Sequence, residues 1–350
     1  MNYNVTQLGN IGTVMDINHS GQMIGNNTQL GTAFLYNPDP VSILTPGTTA
    51  LLPARTVAAA INDAGEIAGT AYVGLGNAKA FLQQTSGGVI SEPPIDLHAT
   101  LHSLLGYTSS VATDINNGPG ESIGGLPMGR SVVGIGSNGP WQAWQNVSGV
   151  WTARSLVNQW SLTLSSPVNT VFINDRGSIV FDNDQSFYLY FAPPYSAYPY
   201  VHNPVKFSGY GPVYGFNNNN QVVFQRDGSG GDIKLYWPSG WGYTFFNLGQ
   251  IGERDGNGYP CYIPGPRRYL NNQAINNQTN LVVPVVPPPG VLPGGSEQFL
   301  YTQFVTQSTV QQSRAEVNAN ISLGTLLGIN NQGWIVGQDA NYNTVLLTPQ

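Results

Sequence analysis

A short pattern that recurs seven times along the 350-residue chain constrains its fold more than any other feature. Each copy has an apolar residue, an asparagine, two variable residues, a glycine or its substitute, and then an apolar run. The pattern asparagines are 43 to 59 residues apart and are Asn18, Asn62, Asn116, Asn174, Asn217, Asn276 and Asn330. Repetition at such a period is typical of solenoids and propellers, whose units bury their apolar faces against their neighbours.

Each copy of the pattern predicts a tight turn between two strands. The asparagine side chain can bond the backbone two residues on, and the glycine three positions later takes the left-handed conformation that the turn requires. Asn220 occupies the glycine position of the fifth copy, and asparagine tolerates that conformation well. The third and sixth copies are irregular, and they predict one extra turn residue with Gly120 and Asn280 in the left-handed position.

A short apolar, mostly aromatic run follows every turn and predicts a third strand. These runs are Ala33–Tyr36, Ala80–Gln83, Gln142–Gln145, Phe187–Tyr190, Lys234–Trp237, Gln298–Tyr301 and Thr344–Leu347. With a further strand ahead of some turns, each unit becomes a four-stranded antiparallel meander. The sequence therefore predicts an all-β, seven-bladed β-propeller over residues 1–350 as a single domain.

The two ends of the chain predict how the ring closes. After its third strand at Thr344–Leu347 the last unit has three residues left, too few for a fourth strand, whereas Tyr3–Leu8 is a strand without a unit of its own. Pairing of this N-terminal strand in the last blade would remove both exposed edges. A β-solenoid is the alternative architecture, although solenoid repeats are usually shorter and more regular.

The repeat resembles a known bacterial family. The succession Ala-x-x-Ile-Asn-x-x-Gly-x-Ile-Val-Gly, Ala-Phe-Leu-Tyr and a Leu-Gly strand is similar to the HAF repeat of extracytoplasmic proteins, most closely in the first, second and seventh units. The resemblance implies a propeller-like repeat and a surface or extracellular location, and it carries no catalytic signature. The chain departs from that family in lacking a recognisable signal peptide, which raises assembly into a virus particle as another route to the outside.

Composition excludes several classes of protein. A net charge of -6 with only three lysines gives no basic surface for nucleic acid. The single cysteine, Cys261, allows no internal disulfide and no cysteine metal cluster. No apolar stretch reaches the roughly 18 residues that a membrane span requires. We therefore expect a folded protein that binds neither nucleic acid nor cofactor and does not span a membrane.

Candidate chemistry in the sequence is sparse. His98 and His102 are four residues apart and can share one helical face, where the alternatives are a metal site and an ordinary short surface helix. Asp182–Asp184 and Asp227–Asp232 contain oxygen ligands suited to Ca²⁺, but aspartate and glycine are common in turns. Asp16 and Asp114 occupy the same repeat position, which favours bonding to a neighbouring turn over catalysis. We predict no catalytic residue, no metal site and no enzymatic activity.

The segments that interrupt the repeat are the candidates for binding. The insertion over 191–213 and the strand after it are rich in tyrosine and proline, with Tyr195, Tyr198, Tyr200, Tyr210 and Tyr214. Tyrosine offers a large apolar face with a polar tip, which suits sugars and protein surfaces. The alternative is that these rings only cover the side of a blade.

Together these observations predict a non-enzymatic surface recognition protein. The first hypothesis is a virion spike or receptor-binding component that presents propeller loops to a host-surface glycan or protein and sits beside other virion structural proteins. The alternatives are a secreted bacterial lectin or adhesion propeller and, less favoured, a propeller glycosidase or lyase. The expected location is the virion surface or the extracellular space.

Overall fold

The computed structural model describes residues 3–27, 29–38, 47–74, 77–90, 92–118, 130–146, 148–183, 185–192, 203–226, 232–239, 242–250, 275–283, 299–302, 313–316, 323–339, 341 and 343–350. Regular structure in these ranges is almost entirely β-strand, interrupted by two short helices. The strands form successive antiparallel sheets, so the fold is an all-β propeller, as the repeat pattern predicts.

The strands of the N-terminal half follow the predicted units. After β1 (Tyr3–Gly9), the first sheet contains β2 (Thr13–Ile17), β3 (Met23–Asn27), β4 (Thr32–Asn37) and β5 (Thr48–Ala54). The second contains β6 (Thr56–Ile61), β7 (Ile67–Val73) and β8 (Asn77–Gln83), then the hairpin β9 (Thr85–Ser86) and β10 (Val89–Ile90), and finally β11 (Ile95–Asp96), which pairs with β8. Helix α1 (Leu97–Leu105) leads to the third sheet, β12 (Ser110–Ile115), β13 (Ser131–Gly136), β14 (Gly139–Gln145) and β15 (Trp151–Ser155), followed by α2 (Leu156–Gln159).

The C-terminal half continues the series. The fourth sheet contains β16 (Thr170–Ile173), β17 (Ile179–Asp182), β18 (Ser186–Tyr190) and β19 (Val205–Ser208), and the fifth contains β20 (Tyr210–Phe216), β21 (Val222–Arg226), β22 (Asp232–Ser239) and β23 (Gly242–Gln250). The next sheet contains β24 (Leu281–Val283), β25 (Phe299–Thr302) and β26 (Ser313–Glu316). The last is formed by β27 (Leu323–Ile329), β28 (Ile335–Asp339), β29 (Thr344–Pro349) and the N-terminal β1.

The sheet count differs from the sequence prediction. Six four-stranded propeller sheets lie in the described residues instead of seven, because the sixth repeat has a three-stranded sheet there. Its turn begins at Ile275, which forms an isolated bridge with Leu281 rather than a named strand. The N-terminal strand pairs as predicted: Tyr3 lies opposite Pro349 and Val5 opposite Leu347 in an antiparallel register.

The third turn is much longer than the sequence predicts. In the first turn the Asn18 side-chain oxygen accepts the N–H of a residue four positions on, whereas the Asn116 oxygen accepts the N–H of Ser131, fifteen positions on. The expectation of one extra residue is therefore wrong, since the loop is eleven residues longer than the regular turn. Gly118 has the positive φ of +48°, and Gly120 lies outside the described residues.

The sixth turn is regular, contrary to the sequence prediction. Thr279 takes the left-handed conformation with a φ of 64°, and its N–H donates to the carbonyl of Asn276 at 3.0 Å. Asn280, which the sequence assigns to that position, instead donates its N–H to the Asn276 side chain at 2.8 Å. The prediction was wrong because threonine rarely adopts a positive φ, whereas asparagine does so more readily.

The blade cores depend on the aromatic third strands. Phe34, Phe81 and Trp141 are buried, and each lies opposite a glycine of the preceding strand in the sheet register. A Cβ on Gly69 would lie 2.6 Å from the Phe81 ring, so the ring occupies the space that the missing side chain leaves. Buried apolar clusters join residues of successive sheets, and the repeat motif therefore encodes packing between blades as well as within them.

Candidate functional site

The seven pattern asparagines form a cycle of hydrogen bonds, called here the inner ring. The side-chain Nδ2 of each donates to the backbone carbonyl of the next, from Asn18 to Asn62 and onward, and Asn330 donates back to Asn18 at 2.9 Å. The donor–acceptor distances are 2.9 to 3.5 Å. The surface that carries these turns is called here the turn face. Because each amide also bonds its own turn, local turn geometry and contact between units depend on the same side chains.

A second set of bonds, the outer ring, joins the residues that follow these asparagines. Six links run from a backbone N–H to the side-chain oxygen of the equivalent residue in the next turn, at 2.5 to 2.8 Å, and involve His19, Asp63, Asn117, Asp175, Asn218, Asn277 and Asn331. At the seventh position His19 supplies no side-chain oxygen, and its Nε2 contacts the Gln332 amide instead. The two rings cross-link the seven turns through side-chain and backbone hydrogen bonds.

The repeated aspartates accept hydrogen bonds from the backbone of neighbouring turns. The Asp16 carboxylate accepts the N–H of Ile17 at 2.7 Å and the N–H of Ile61, in the next unit, at 2.8 Å. Asp114 accepts the N–H groups of Ile115 and Ile173 at 2.8 and 2.9 Å in the same way. The predicted structural role of these two carboxylates is confirmed: each joins neighbouring turns.

The centre of the turn face holds a small polar cavity of about 90 Å³. Its lining comes from the turns of all seven repeats and includes Asp16, Asp114, Asn18, Asn174, Asn218 and Asn331. Small-molecule sites usually enclose roughly 300–1,000 Å³, so this cavity suits ordered water better than an organic substrate.

Two larger grooves lie between adjacent units on the turn face. The first groove, between the first and second units, has a volume of about 540 Å³ and is lined by Ser20, Gln22, Asn37, Asp63, Thr85 and Gly88, among others. The second groove, between the sixth and seventh units, has a volume of about 490 Å³ and is lined by Tyr3, Gln278, Asn280, Asn331, Gln332 and Pro349, among others. Both grooves use equivalent repeat positions. Ser20 and Gln22 face Asp63 and Ala64 across the first groove, and Gln278 and Asn280 face Asn331 and Gln332 across the second.

Two of the five tyrosines of the predicted site lie in the described residues. Tyr195, Tyr198 and Tyr200 lie outside the described residues. Tyr214 is buried and its hydroxyl donates to Gln225, and burial, with a smaller contribution from Asp182, raises its pKa to about 12. Tyr210 is half-buried and packs against Phe224 and Phe245 at centroid distances of 5.2 and 5.1 Å. The last two tyrosines are therefore packing residues, and binding by the first three stays a prediction.

The two histidines lie on a short helix, as the alternative to a metal site predicts. Helix α1 begins after Asp96, whose side chain accepts the N–H of Ala99, and ends at Gly106 with a φ of 70°. His98 is buried and its Nδ1 bonds Ser110 at 2.9 Å, and burial lowers its pKa. The His102 Nδ1 bonds the carbonyl of Tyr107. Among the described residues no three His, Cys, Asp or Glu side chains come together as a metal site.

The remaining candidate residues either have a structural role or lie outside the described residues. Asp182 is buried and accepts the N–H of Val213 at 3.0 Å, whereas Asp184 and residues 227–231 lie outside the described residues, as does Cys261. In β14 the sequence also offers two tryptophans: Trp141 is buried in the core, whereas Trp144 is half-buried against the guanidinium of Arg154. Neither described helix has the length and apolar character to cross a bilayer.

Sequence reasoning missed the outer ring and the grooves. The outer ring has a readable signal, because aspartate or asparagine follows the pattern asparagine in six of the seven turns. The first groove has no comparable signal, since it brings together Asn37 and Gly88, which are 51 residues apart.

Comparison with solved structures indicates the fold of the chain. The chain is similar to one in the crystal structure of the mitotic checkpoint complex, with a TM-score of 0.51 and 9% sequence identity over 99% of this chain and 90% of that chain. The Pan2 WD40 domain of Neurospora crassa gives a TM-score of 0.48 and 12% identity over 99% of this chain and 96% of that chain. No protein-family model and no curated protein matches the sequence, so the likeness to HAF repeats stays a prediction. At 9% identity the first likeness indicates a shared fold, which many functions use.

Proposed function

We propose that this protein is a non-enzymatic recognition propeller that binds a glycan or protein on a cell surface. The observation that carries the proposal is the turn face, which two rings of hydrogen bonds fix as a rigid polar platform with grooves between units. A rigid surface binds without first losing conformational freedom. Loops that leave such a scaffold vary without disturbing it, which is the usual arrangement in recognition domains.

The bonding of the central aspartates supports binding rather than catalysis. A propeller hydrolase or lyase acting at the central channel needs carboxylates that face a substrate. Asp16 and Asp114 each accept two backbone N–H groups, and the cavity beside them measures about 90 Å³. Both oxygens of each carboxylate are therefore engaged by backbone N–H groups of the turns, which orients these side chains for the fold.

The platform extends to seven units in this proposal. The three-stranded sheet of the sixth repeat serves as a blade, its turn at Asn276 occupying its place in the inner ring between Asn217 and Asn330. Pairing of the N-terminal strand with β29 then completes the ring. Closure protects strand edges that would otherwise pair with other chains.

The location in this proposal rests on the composition of the chain, and the protein partner rests on the structural comparison. We place the protein on a virion surface or in the extracellular space, as a spike or receptor-binding component, because the chain has few lysines and a low fraction of charged residues. A protein partner is included in the proposal because the similar chain comes from the structure of a complex, the mitotic checkpoint complex.

The test replaces Tyr195, Tyr198 and Tyr200 together by serine. We expect at least a tenfold loss of binding to host cells or to a glycan array, which corresponds to about 1.4 kcal/mol. Thermal melting should stay unchanged. Tyr72→Ser, at an exposed tyrosine outside the insertion, is the matched control and should bind like the wild type. Unchanged binding by the triple variant would place the contact elsewhere, and a large loss of stability would show that the three tyrosines are core residues.

A further inference from the structure

The first groove is built by a segment that the repeat does not require. Hairpin β9–β10 follows the third strand of the second unit, and its loop residue Gly88 accepts a 2.8 Å bond from the Asn37 side chain of the first unit. Ile90 packs against the buried cluster that contains Leu35 and Leu52. A Cβ on Gly88 would collide with the Asn37 amide, so the hairpin approaches the first unit as closely as a glycine allows. The hairpin thus forms one side of the first groove.

A relay of amides crosses the floor of this groove from the inner ring to the hairpin. Asn18 donates to Gln22 at 2.8 Å, Gln22 donates to Asn37 at 2.7 Å, and Asn37 donates to Gly88. In these bonds the amides of Gln22 and Asn37 each use one N–H and one oxygen lone pair. A primary amide has two of each, so within the described residues both amides keep one N–H and one oxygen lone pair for a further partner.

The charge of the groove selects against anions. Asp63 is the ionisable side chain among the described lining residues, and one of its oxygens accepts the N–H of His19 at 2.8 Å. A carboxylate accepts hydrogen bonds from hydroxyl groups and repels other carboxylates and sulfates. Val89, which is 63% exposed, and Pro38 add a small apolar surface.

We propose that the first groove binds one neutral sugar residue of a glycan, through hydroxyl bonds to Gln22, Asn37 and Asp63. This inference rests on the proposed function, because it assigns a glycan to the recognition surface. Paired amide donors and acceptors beside a carboxylate match adjacent hydroxyls of a sugar ring, whose C–H groups contact Val89. A volume of about 540 Å³ lies within the range of small-ligand sites.

The test fills the groove without removing a described bond. Thr48 is exposed, lines the groove and lies opposite Asn37 in the sheet register, so Thr48→Trp places an indole where the sugar would lie. The adjacent Thr49 is also exposed but points to the other face of the strand, and Thr49→Trp is the matched control. Val89→Trp fills the same groove from the hairpin side and serves if Thr48→Trp fails to fold.

The probe is an array of neutral oligosaccharides of glucose, galactose, mannose, fucose and N-acetylglucosamine, with sialylated and sulfated counterparts and a random peptide library. We expect the wild type and Thr49→Trp to retain the same neutral oligosaccharide, and Thr48→Trp or Val89→Trp to bind it at least tenfold more weakly. Equal binding by all variants, preference for the anionic counterparts, or a peptide that competes for the groove would each overturn the proposal.

The result also separates this proposal from the function that it deepens. If the wild type binds host cells but no neutral oligosaccharide, the groove proposal fails and the recognition function stands. If the wild type binds neither cells, oligosaccharides nor peptides, both fail.

Discussion

Removal of one inner-ring side chain tests whether the ring stabilises the fold. Asn174 is 4% exposed, and its side chain takes part in four hydrogen bonds. Its oxygen accepts the N–H groups of Arg176 and Ser178 at 3.1 and 3.0 Å, and its nitrogen donates to the Asn217 carbonyl and the Asn220 side chain at 3.0 and 2.8 Å. Asn174→Ala removes all four of these bonds.

The expected magnitude follows from the bonds that are lost. At about 1 kcal/mol of net stability for each buried hydrogen bond, Asn174→Ala should lower the free energy of unfolding by about 4 kcal/mol. Asn146 provides the control, because its oxygen accepts two backbone N–H groups of its own turn at 3.0 Å but it has no described bond to another unit. Water replaces those exposed bonds in Asn146→Ala, so the expected loss is about 1 kcal/mol.

The assay is urea denaturation followed by fluorescence of the seven tryptophans, with the wild type and both variants compared at one temperature. Asn174→Asp is a further variant of the same shape, and it should also be destabilised because a carboxylate oxygen replaces the donating amide. Equal losses in Asn174→Ala and Asn146→Ala would refute the reasoning, since the bonds between units would then add nothing to the local turn.

The other predictions concern closure and alkaline pH. Deletion of residues 1–9 removes β1 with the buried Tyr3 and exposes the edge of β29, so the melting temperature should fall; a truncated protein that melts like the full chain would contradict the pairing. Burial raises the pKa of Tyr3 and of Tyr214 to about 12, from 10.0. The folded state therefore holds these protons more tightly, and stability should be complete below pH 10 and decline from pH 10 to 12. Tyr214→Phe should decline less over that interval in denaturation at fixed pH, and an equal decline would contradict the assignment.

Local chemistry explains what the sequence predicts well. An asparagine followed three residues later by glycine specifies a turn, and an aromatic run specifies a strand, because both depend on neighbours within a few residues. All seven predicted third strands coincide with observed strands, from β4 through β29. The structural role of Asp16 and Asp114 was also readable, since the same residue at the same position of two repeat units favours a role in the shared turn.

The sequence failed where a turn departs from its usual residues or length. Thr279 takes a conformation that its side chain disfavours, because the ring bonds on either side hold the turn of Asn276. The long third turn was missed for a related reason. Its strands resume at Ser131, and the glycines and prolines of the intervening residues mark a loop without fixing its length.

Only the tertiary structure decided which surfaces the molecule presents. Tyr214 belongs to a tyrosine-rich stretch in the sequence, yet packing of neighbouring sheets buries it. The first groove needs Gln22, Asn37, Asp63 and the hairpin loop at Gly88 to meet, and these come from two units and several turns. The sequence determines each turn and strand through short-range forces, whereas a groove between units depends on how completed blades pack against each other, and residues distant in the chain become neighbours only at that stage.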